Sequence, residues 1–421
     1  MQPTRRDFLR LGLGTSSLLA CGSTSPVFLA RSGAALAATP EKNDGHVLVV
    51  VQLDGGNDGL NTVVPHRDDE YRKRRPRLRL VGARLHKVDD RTGLHPSLTG
   101  FAQLLDQRQL AIVQSVGYPN PNRSHFESMA IWHTARAAPK ADTPGWLTRY
   151  LGVHAAAPGG DAPALHVANT LLPQALLGGE RQVPSLESLE QFRRRLGVPE
   201  SAGAKEQRAA LDTVGTRSRG GPGSLVEFVQ RSQVLTYASS ARLEEVVKRK
   251  VASDGYSEFY GLARRLRLIA QLIKAGLGTR LYYTQLDGFD THANQLGTHD
   301  GLLREVGDSL RSFLDDLGKS GDAGRVLVLV FSEFGRRLSE NASGGTDHGT
   351  AAPVFLLGPG VKEGLHGPHP NLGDLADGDP KHAIDFRRVY ATLLESWLGC
   401  PSESVLGEKF ASIPILRAAR R

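Results

Sequence analysis

Apolar residues along this chain gather into short uninterrupted runs rather than alternating with polar ones. The run HVLVVVQL at 46–53 is continuous, rich in valine and ends at Asp54-Gly55-Gly56. Such a run predicts a strand buried on both faces, as strands of parallel sheets are. LAIVQSV at 110–116 repeats the pattern after a stretch at 96–107 that sets Leu98, Phe101, Leu104 and Leu105 at helical spacing. Strand, helix and strand in that order predict an α/β domain with crossover connections. Further strands are expected at 281–286, 326–331 and 353–357, each ending in a loop rich in Asp, His, Glu and Gly. Open α/β sheets gather their function at those carboxyl ends.

The middle of the chain breaks this rhythm. A Gly/Arg/Ser-rich polar stretch at 205–223 precedes two helical patterns at 224–251 and 257–275, so 184–277 is expected to be a helical insertion on the α/β core. An amphipathic helix is expected over 385–398, with Asp385 as its N-cap and Gly399 as its stop. No internal repeat is present.

The first residues alter the picture. Thr4-Arg5-Arg6-Asp7-Phe8-Leu9 stands ahead of a weakly apolar stretch and resembles a bacterial twin-arginine export signal, an address associated with cargo that folds around its cofactor before export. Glycines and serines interrupt 11–20, which makes it too short and too polar for a transmembrane helix. Ala35-Leu36-Ala37 offers a cleavage site, giving a signal at 1–37, a domain at 38–421 and a periplasmic or secreted product that engages the twin-arginine export machinery. The rival processing point is Cys21, where lipidation would tie the protein to a membrane.

Charge and cysteine content narrow the chemistry. Of the net +8, much sits in arginine runs at 72–79, 193–195 and 264–267, read as solvated faces. They lack the interleaved aromatics of a nucleic-acid surface, which leaves a weak preference for anionic partners. The 2 cysteines are Cys21 and Cys400, so a mature chain has no intrachain disulfide and no thiolate zinc site.

Four clusters carry candidate chemistry. Asp54-Gly55-Gly56-Asn57-Asp58-Gly59 places Asp54 and Asp58 on a glycine-rich turn that can bring oxygens to a hard cation. Asn122-Arg123-Ser124-His125-Phe126-Glu127 opens a helix: Ser124 and Glu127 fit a capping box, while a serine at a helix N-terminus beside the forked donor of Arg123 also suits an anion. Asp287-Gly288-Phe289-Asp290-Thr291-His292 lets Asp290 and His292 point at one metal, with His299 beyond them as a supporting group. Glu333 ends the 326–331 run, and Asp347-His348 follows on a glycine-flanked loop where two polar side chains are costly to bury unpaired. His95 is read as a residue at a helix start.

Together these stretches resemble the twin-arginine-exported proteins of domain of unknown function 1501: GGNDGLNTVVP at 55–65, RSHFESM at 123–129, DTHANQ at 290–295, FSEFGRR at 331–337 and GGTDHG at 344–349, in that order. That family resembles a distant branch of the alkaline phosphatase and sulfatase superfamily. The resemblance implies an α/β, alkaline phosphatase-like sandwich with a mostly parallel central sheet and two metal ions at its carboxyl ends. It implies Asp54 or Asp58 as the first metal aspartate, Ser124 as the nucleophile, and Asp290 and His292 in place of a more widely spaced Asp-x-x-x-His pair. Where the superfamily has Asp-His after the 326–331 strand, this chain has Glu333-Phe334. Asp347-His348 comes later, ahead of TAAPVFLLGPG at 350–360. Either Glu333 substitutes in a rearranged metal set or one site is lost. The absence of a Cys/Ser-x-Pro-x-Arg signature argues against a formylglycine sulfatase.

The expectation is therefore an exported metal-dependent hydrolase of phosphate or sulfate esters, or a phosphoryl transferase. Ser124 and Arg123 would be catalytic, and Asp54, Asp58, Asp290, His292, Glu333, Asp347 and His348 would supply ligands for one or two divalent ions (zinc, manganese, magnesium or calcium). The substrate would be an anionic ester or cell-surface polymer. The alternative is a non-catalytic, metal-stabilised binding or assembly protein on the same scaffold.

Overall fold

The computed structural model describes residues 45–153, 161–179, 181, 183–188 and 251–417. The export segment at 1–37 with Cys21, the polar stretch at 205–223 and nearly all of the helical pattern at 224–251 lie outside them. Among the described residues no helix is long and apolar enough to cross a membrane.

Each continuous apolar run forms a strand: β1 (Val47–Leu53), β2 (Leu110–Gly117), β5 (Leu281–Leu286), β6 (Val326–Ser332) and β9 (Ala352–Leu357). Shorter strands complete the set: β3 (Ala164–Val167), β4 (Ser185–Leu186), β7 (Arg336–Glu340), β8 (Thr346–His348), β10 (Gly364–His366) and β11 (Ile384–Asp385). The main sheet is 9-stranded in the order β10-β2-β9-β6-β1-β5-β3-β4, with β11 also on β2. Its pairings are parallel except those of β9, which runs antiparallel to β2 and β6. The expected α/β sandwich with a mostly parallel central sheet is what forms.

β9 corrects one expectation, that every strand would end at the functional loops. Between β6 and β9 the chain holds only the β7–β8 ribbon and no helix. A parallel return would need a long crossover, so β9 comes back antiparallel and starts at the functional edge.

The period-two alternation of β1 divides the core. Val47, Val49, Val51 and Leu53 face a layer with α1 (Thr99–Asp106), α4 (Gly261–Lys274) and α5 (Gln295–Ser320), while Leu48 and Val50 face α2 (His125–Thr134), α3 (Trp146–Val153) and α6 (Phe386–Thr392). Burial on both sides is why these runs are continuous. The 257–275 pattern becomes α4, whose Leu262, Leu266, Ile269 and Ile273 pack into the first layer. Asp385 caps α6 by accepting from Arg387 N at 2.9 Å, and the helix continues as a π-turn, Leu393–Trp397, before Gly399 ends it at φ +67°.

The arginine run at 72–79 departs from a wholly solvated face. Arg75 is fully buried, its Nη1 2.5 Å from Asp58 Oδ2.

Candidate metal centre

Three neighbouring parallel strands stop at the same level. Leu53 of β1 pairs with Leu286 of β5 and Ser332 of β6, so Asp54, Asp287 and Glu333 emerge side by side. Burial raises the Asp54 carboxyl to about 6, a hydrogen bond from Gln52 opposes the shift, and the charges of Glu333 and Asp287 add to it. The chain then turns away at Gly55, at φ +114°, where a Cβ would lie 2.4 Å from Asp290 N. Only glycine admits both the left-handed conformation and that close approach.

Four side chains from three segments converge beside this edge. His125 is the first residue of α2, Asp290 and His292 lie on the loop between β5 and α5, and His348 ends β8. The donor atoms of His125, Asp290 and His348 all lie within 4.8 Å of one another. His292 Nε2 stands 3.1 Å from Asp290 Oδ1 and 2.9 Å from His348 Nε2.

The far side of each ring decides what the near side can do. His125 Nδ1 meets Glu333 Oε1 at 2.7 Å, His348 Nδ1 meets the Arg123 carbonyl at 2.8 Å, and His292 Nδ1 meets Asp347 Oδ1 at 3.4 Å. Carboxylates and carbonyls accept, so each Nδ1 carries the proton and a neutral ring offers a lone pair at Nε2. Two such nitrogens 2.9 Å apart repel each other, and the buried Nε2 of His125 has no hydrogen-bond partner. The lone pairs of His125 and His348 and a carboxylate oxygen of Asp290, directed at one region, fit a cation, and His292 stands beside them against Asp290 and His348. An Nδ1 hydrogen bond to an acceptor is also how metal-binding imidazoles are oriented.

Surrounding residues fix the cluster. Glu333 is buried and accepts from Gly55 N at 3.0 Å and from Ser332 Oγ at 2.8 Å, besides His125. The Phe334 ring centroid lies 4.9 Å from those of His125 and His348. Buried Arg336 donates to Gly56 O at 2.6 Å, Thr346 O at 2.8 Å, Phe289 O at 3.0 Å and Asp290 Oδ1 at 2.7 Å, joining three loops. Partial burial pushes Asp290 up, but the hydrogen bond from Arg336, the polar contact of the His348 ring and the arginine charge overcome it and hold the carboxyl at about 2. The hydrogen bond to Glu333 raises the His125 imidazole against the opposing effect of burial, and the charges of Glu333 and Asp290 raise it further.

The structure thus brings Asp290, His292 and His348 together, with Glu333 and Asp347 holding rings rather than facing the cluster. Asp54 lies alongside in the cavity lining. Asp58 stands apart: burial works against its charge, but Arg75 keeps its carboxyl below the usual range, and Gln295 Nε2 donates to it at 2.5 Å. Ser124 occupies the N-cap of α2, exposed, with no capping bond from its side chain, so the capping box does not form. The Arg123 guanidinium pairs with buried Asp379 at 2.5 Å, and its carbonyl is the group that reaches the cluster. His299 is buried against Asn57 Oδ1, at 2.9 Å, and supports none of these groups. The sequence reading missed His125. Its signal was an imidazole at the first helical position, overshadowed by the serine before it.

A cavity of about 460 Å³ opens beside the cluster, lined by Asp54, Glu333 and Asp290 and by Phe126, Met129 and Ala130 of α2. Residues 46–400 match the family described as "Protein of unknown function (DUF1501)", and no curated protein matches the sequence. Among solved structures, a sulfatase from Pseudoalteromonas sp. is 12% identical over 93% of this chain and 75% of its own, at a TM-score of 0.37. A phosphonate monoester hydrolase from Silicibacter pomeroyi is 12% identical over 87% and 77%, at 0.32. A lipoteichoic acid synthase from Listeria monocytogenes is 9% identical over 81% and 72%, also at 0.32. These likenesses are distant, and the side chains carry the functional reading.

Proposed function

The chain belongs to the DUF1501 family, and from that premise we propose that it is an exported, metal-dependent hydrolase of phosphate or sulfate esters. The observation that carries this is the convergence of His125, His292 and His348 Nε2 on Asp290 Oδ1, each ring held from behind by an acceptor. Three imidazoles and one carboxylate suit zinc or manganese better than magnesium or calcium, which favour all-oxygen sets. A cation bound there would supply Lewis-acid stabilisation of negative charge on the ester oxygens.

The chain's own residues supply the rest. Asp54, at about 6, exchanges a proton near neutral pH and faces the cavity, so it is positioned to protonate a leaving oxygen. Ser124 stands one residue from His125 at the start of a 10-residue helix, where main-chain N–H groups favour an anion. We assign it the attack on phosphorus or sulfur: its oxygen forms the new bond as its proton passes to solvent, the ester oxygen leaves with the proton from Asp54, and water then releases the serine-bound phosphate or sulfate and returns a proton to Asp54. Glu333, Asp347 and the Arg123 carbonyl keep the imidazoles in the tautomer that leaves Nε2 free.

The test is turnover of aryl phosphates and aryl sulfates by protein loaded with zinc or manganese, by stripped protein and by His348→Ala. Steady turnover confined to the loaded wild type is the expected result. Ser124→Ala retaining full turnover would move the attack to water, and no turnover of any ester by loaded protein would favour the binding-protein alternative. The Arg5-Arg6 pair supports export by the twin-arginine route, so replacing both with lysine should leave the protein in the cytoplasm.

A further inference from the structure

α2 is apolar on two faces, one buried and the other only in part: Met129 and Ala130 are half-buried, Met129 against the same core, while Phe126 stands exposed. Ile131 and Trp132 pack into the core, whereas Phe126, Met129 and Ala130 line the cavity. Phe126 is 89% exposed, although it directly follows the imidazole of the cluster. A large aromatic held in water beside a polar cluster forgoes burial that an apolar ligand could restore.

The cavity's hydrogen-bonding capacity is small. Gln174 is the one uncharged amide on the wall, and its Nε2 already donates to Thr143 O at 3.2 Å. His133, deeper in, is engaged by Gln52 and Tyr283 at 2.7 and 3.1 Å, and burial holds its imidazole down at about 3. The remaining polar groups are Asp54, Asp290, Glu333 and His125, which belong to the cluster or its edge. A sugar residue brings several hydroxyls that each need a partner on leaving water, and this wall offers almost none.

We propose that the organic part of the substrate is apolar: the site takes phosphate or sulfate esters of aryl or alkyl alcohols, with the anion at the His125–Asp290–His348 cluster and the hydrocarbon against Phe126, Met129 and Ala130. This rests on the ester-hydrolase reading above and narrows its substrate. Phe126 and Met129 share the cavity lining with His125 and Asp290, but an aromatic ring and a thioether give the cluster and its supports no strong hydrogen bond, so their replacement acts on the hydrocarbon part of the ligand.

The experiment is calorimetric and does not depend on turnover. Methyl-, butyl-, hexyl- and phenylphosphonate, the matching sulfonates, and glucose 6-phosphate are titrated into the full-length protein loaded with zinc. Affinity should rise along the alkyl series by up to about fourfold per methylene, and glucose 6-phosphate should bind no better than methylphosphonate. In Phe126→Ala and Met129→Ala the chain-length dependence should flatten while methylphosphonate affinity and zinc content stay unchanged. Equal affinity along the series, or tighter binding of the sugar phosphate, would overturn the apolar assignment and leave the ester-site reading standing. Binding of no phosphonate and no sulfonate by the zinc-loaded protein would overturn both.

Discussion

His292 and His348 face each other through their Nε2 atoms at 2.9 Å, and the ring protons of both are committed elsewhere, to Asp347 and to the Arg123 carbonyl. Two lone pairs cannot share that space unless a proton or a cation joins them. Stripped protein should therefore take up zinc, and His292→Ala and His348→Ala should each abolish tight uptake. Glu333→Gln, which loosens the hold on His125, should weaken zinc binding about 10- to 100-fold. Competition against a chromophoric chelator reads all three, and unchanged affinity in His348→Ala would remove the metal from this site.

Asp58 gives the opposite prediction. Its carboxylate and Arg75 are completely buried and paired at 2.5 Å, so Asp58→Ala leaves a buried guanidinium without a counter-charge. Such a loss costs about 3–5 kcal/mol. Chemical denaturation should show that loss while the zinc content of the folded fraction stays at the wild-type value. A fall in zinc with stability preserved would return Asp58 to the ligand set.

Asp54 ties stability to pH. Its carboxyl titrates at about 6 in the fold against an ordinary value of 3.8, so the native state binds this proton more tightly than the unfolded chain does. The stabilisation that proton brings is complete below about 3.8 and is lost as pH rises through 6. In metal-stripped protein, Asp54→Asn should therefore be more stable than wild type at pH 8, by about 1–3 kcal/mol, with the advantage disappearing near pH 4. Thermal melts across that range decide it, and an advantage that does not vary with pH would refute the assignment.

Gly55→Ala should disturb the cluster from the backbone side. The residue sits at φ +114° with Asp290 N 2.4 Å from where a Cβ would be. Strain of about 1–3 kcal/mol is expected, together with weaker zinc binding, because the loop that must yield carries Asp290 and His292. Gly297→Ala, on α5 with nothing within 4 Å, is the control and should change neither property for the worse.

The sheet was legible because burial on both faces writes a strand as an unbroken apolar run, and 281–286 was read to the residue. The β7–β8 ribbon was not legible. Its strands are short and polar, and they exist because Arg336 and Gly345 fit against the neighbouring loops. The direction of β9 followed from that ribbon and was missed with it. In the site, Asp290, His292 and His348 stood out because strand-end Asp and His are hard to explain as packing. His125 was hidden behind an N-cap pattern. Arg75 looked like any member of an exposed run, and only the buried position of Asp58 shows why one of those arginines turns inward.

The β7–β8 ribbon has one more consequence, for how the molecule assembles. Its register pairs Arg336 with His348, with an irregularity before Glu340 meets Thr346. One face of the ribbon is buried through Arg336, Leu338 and Thr346, so a slip of one residue would expose that face and turn His348 to the other side. A cation at the proposed site would bind only the register that presents His348 to His125 and Asp290, and would add its binding free energy to a pairing that burial already selects. The ion would then reinforce an alignment that the buried side chains already set, and the ribbon would hold His348 ready before either ion or substrate is met.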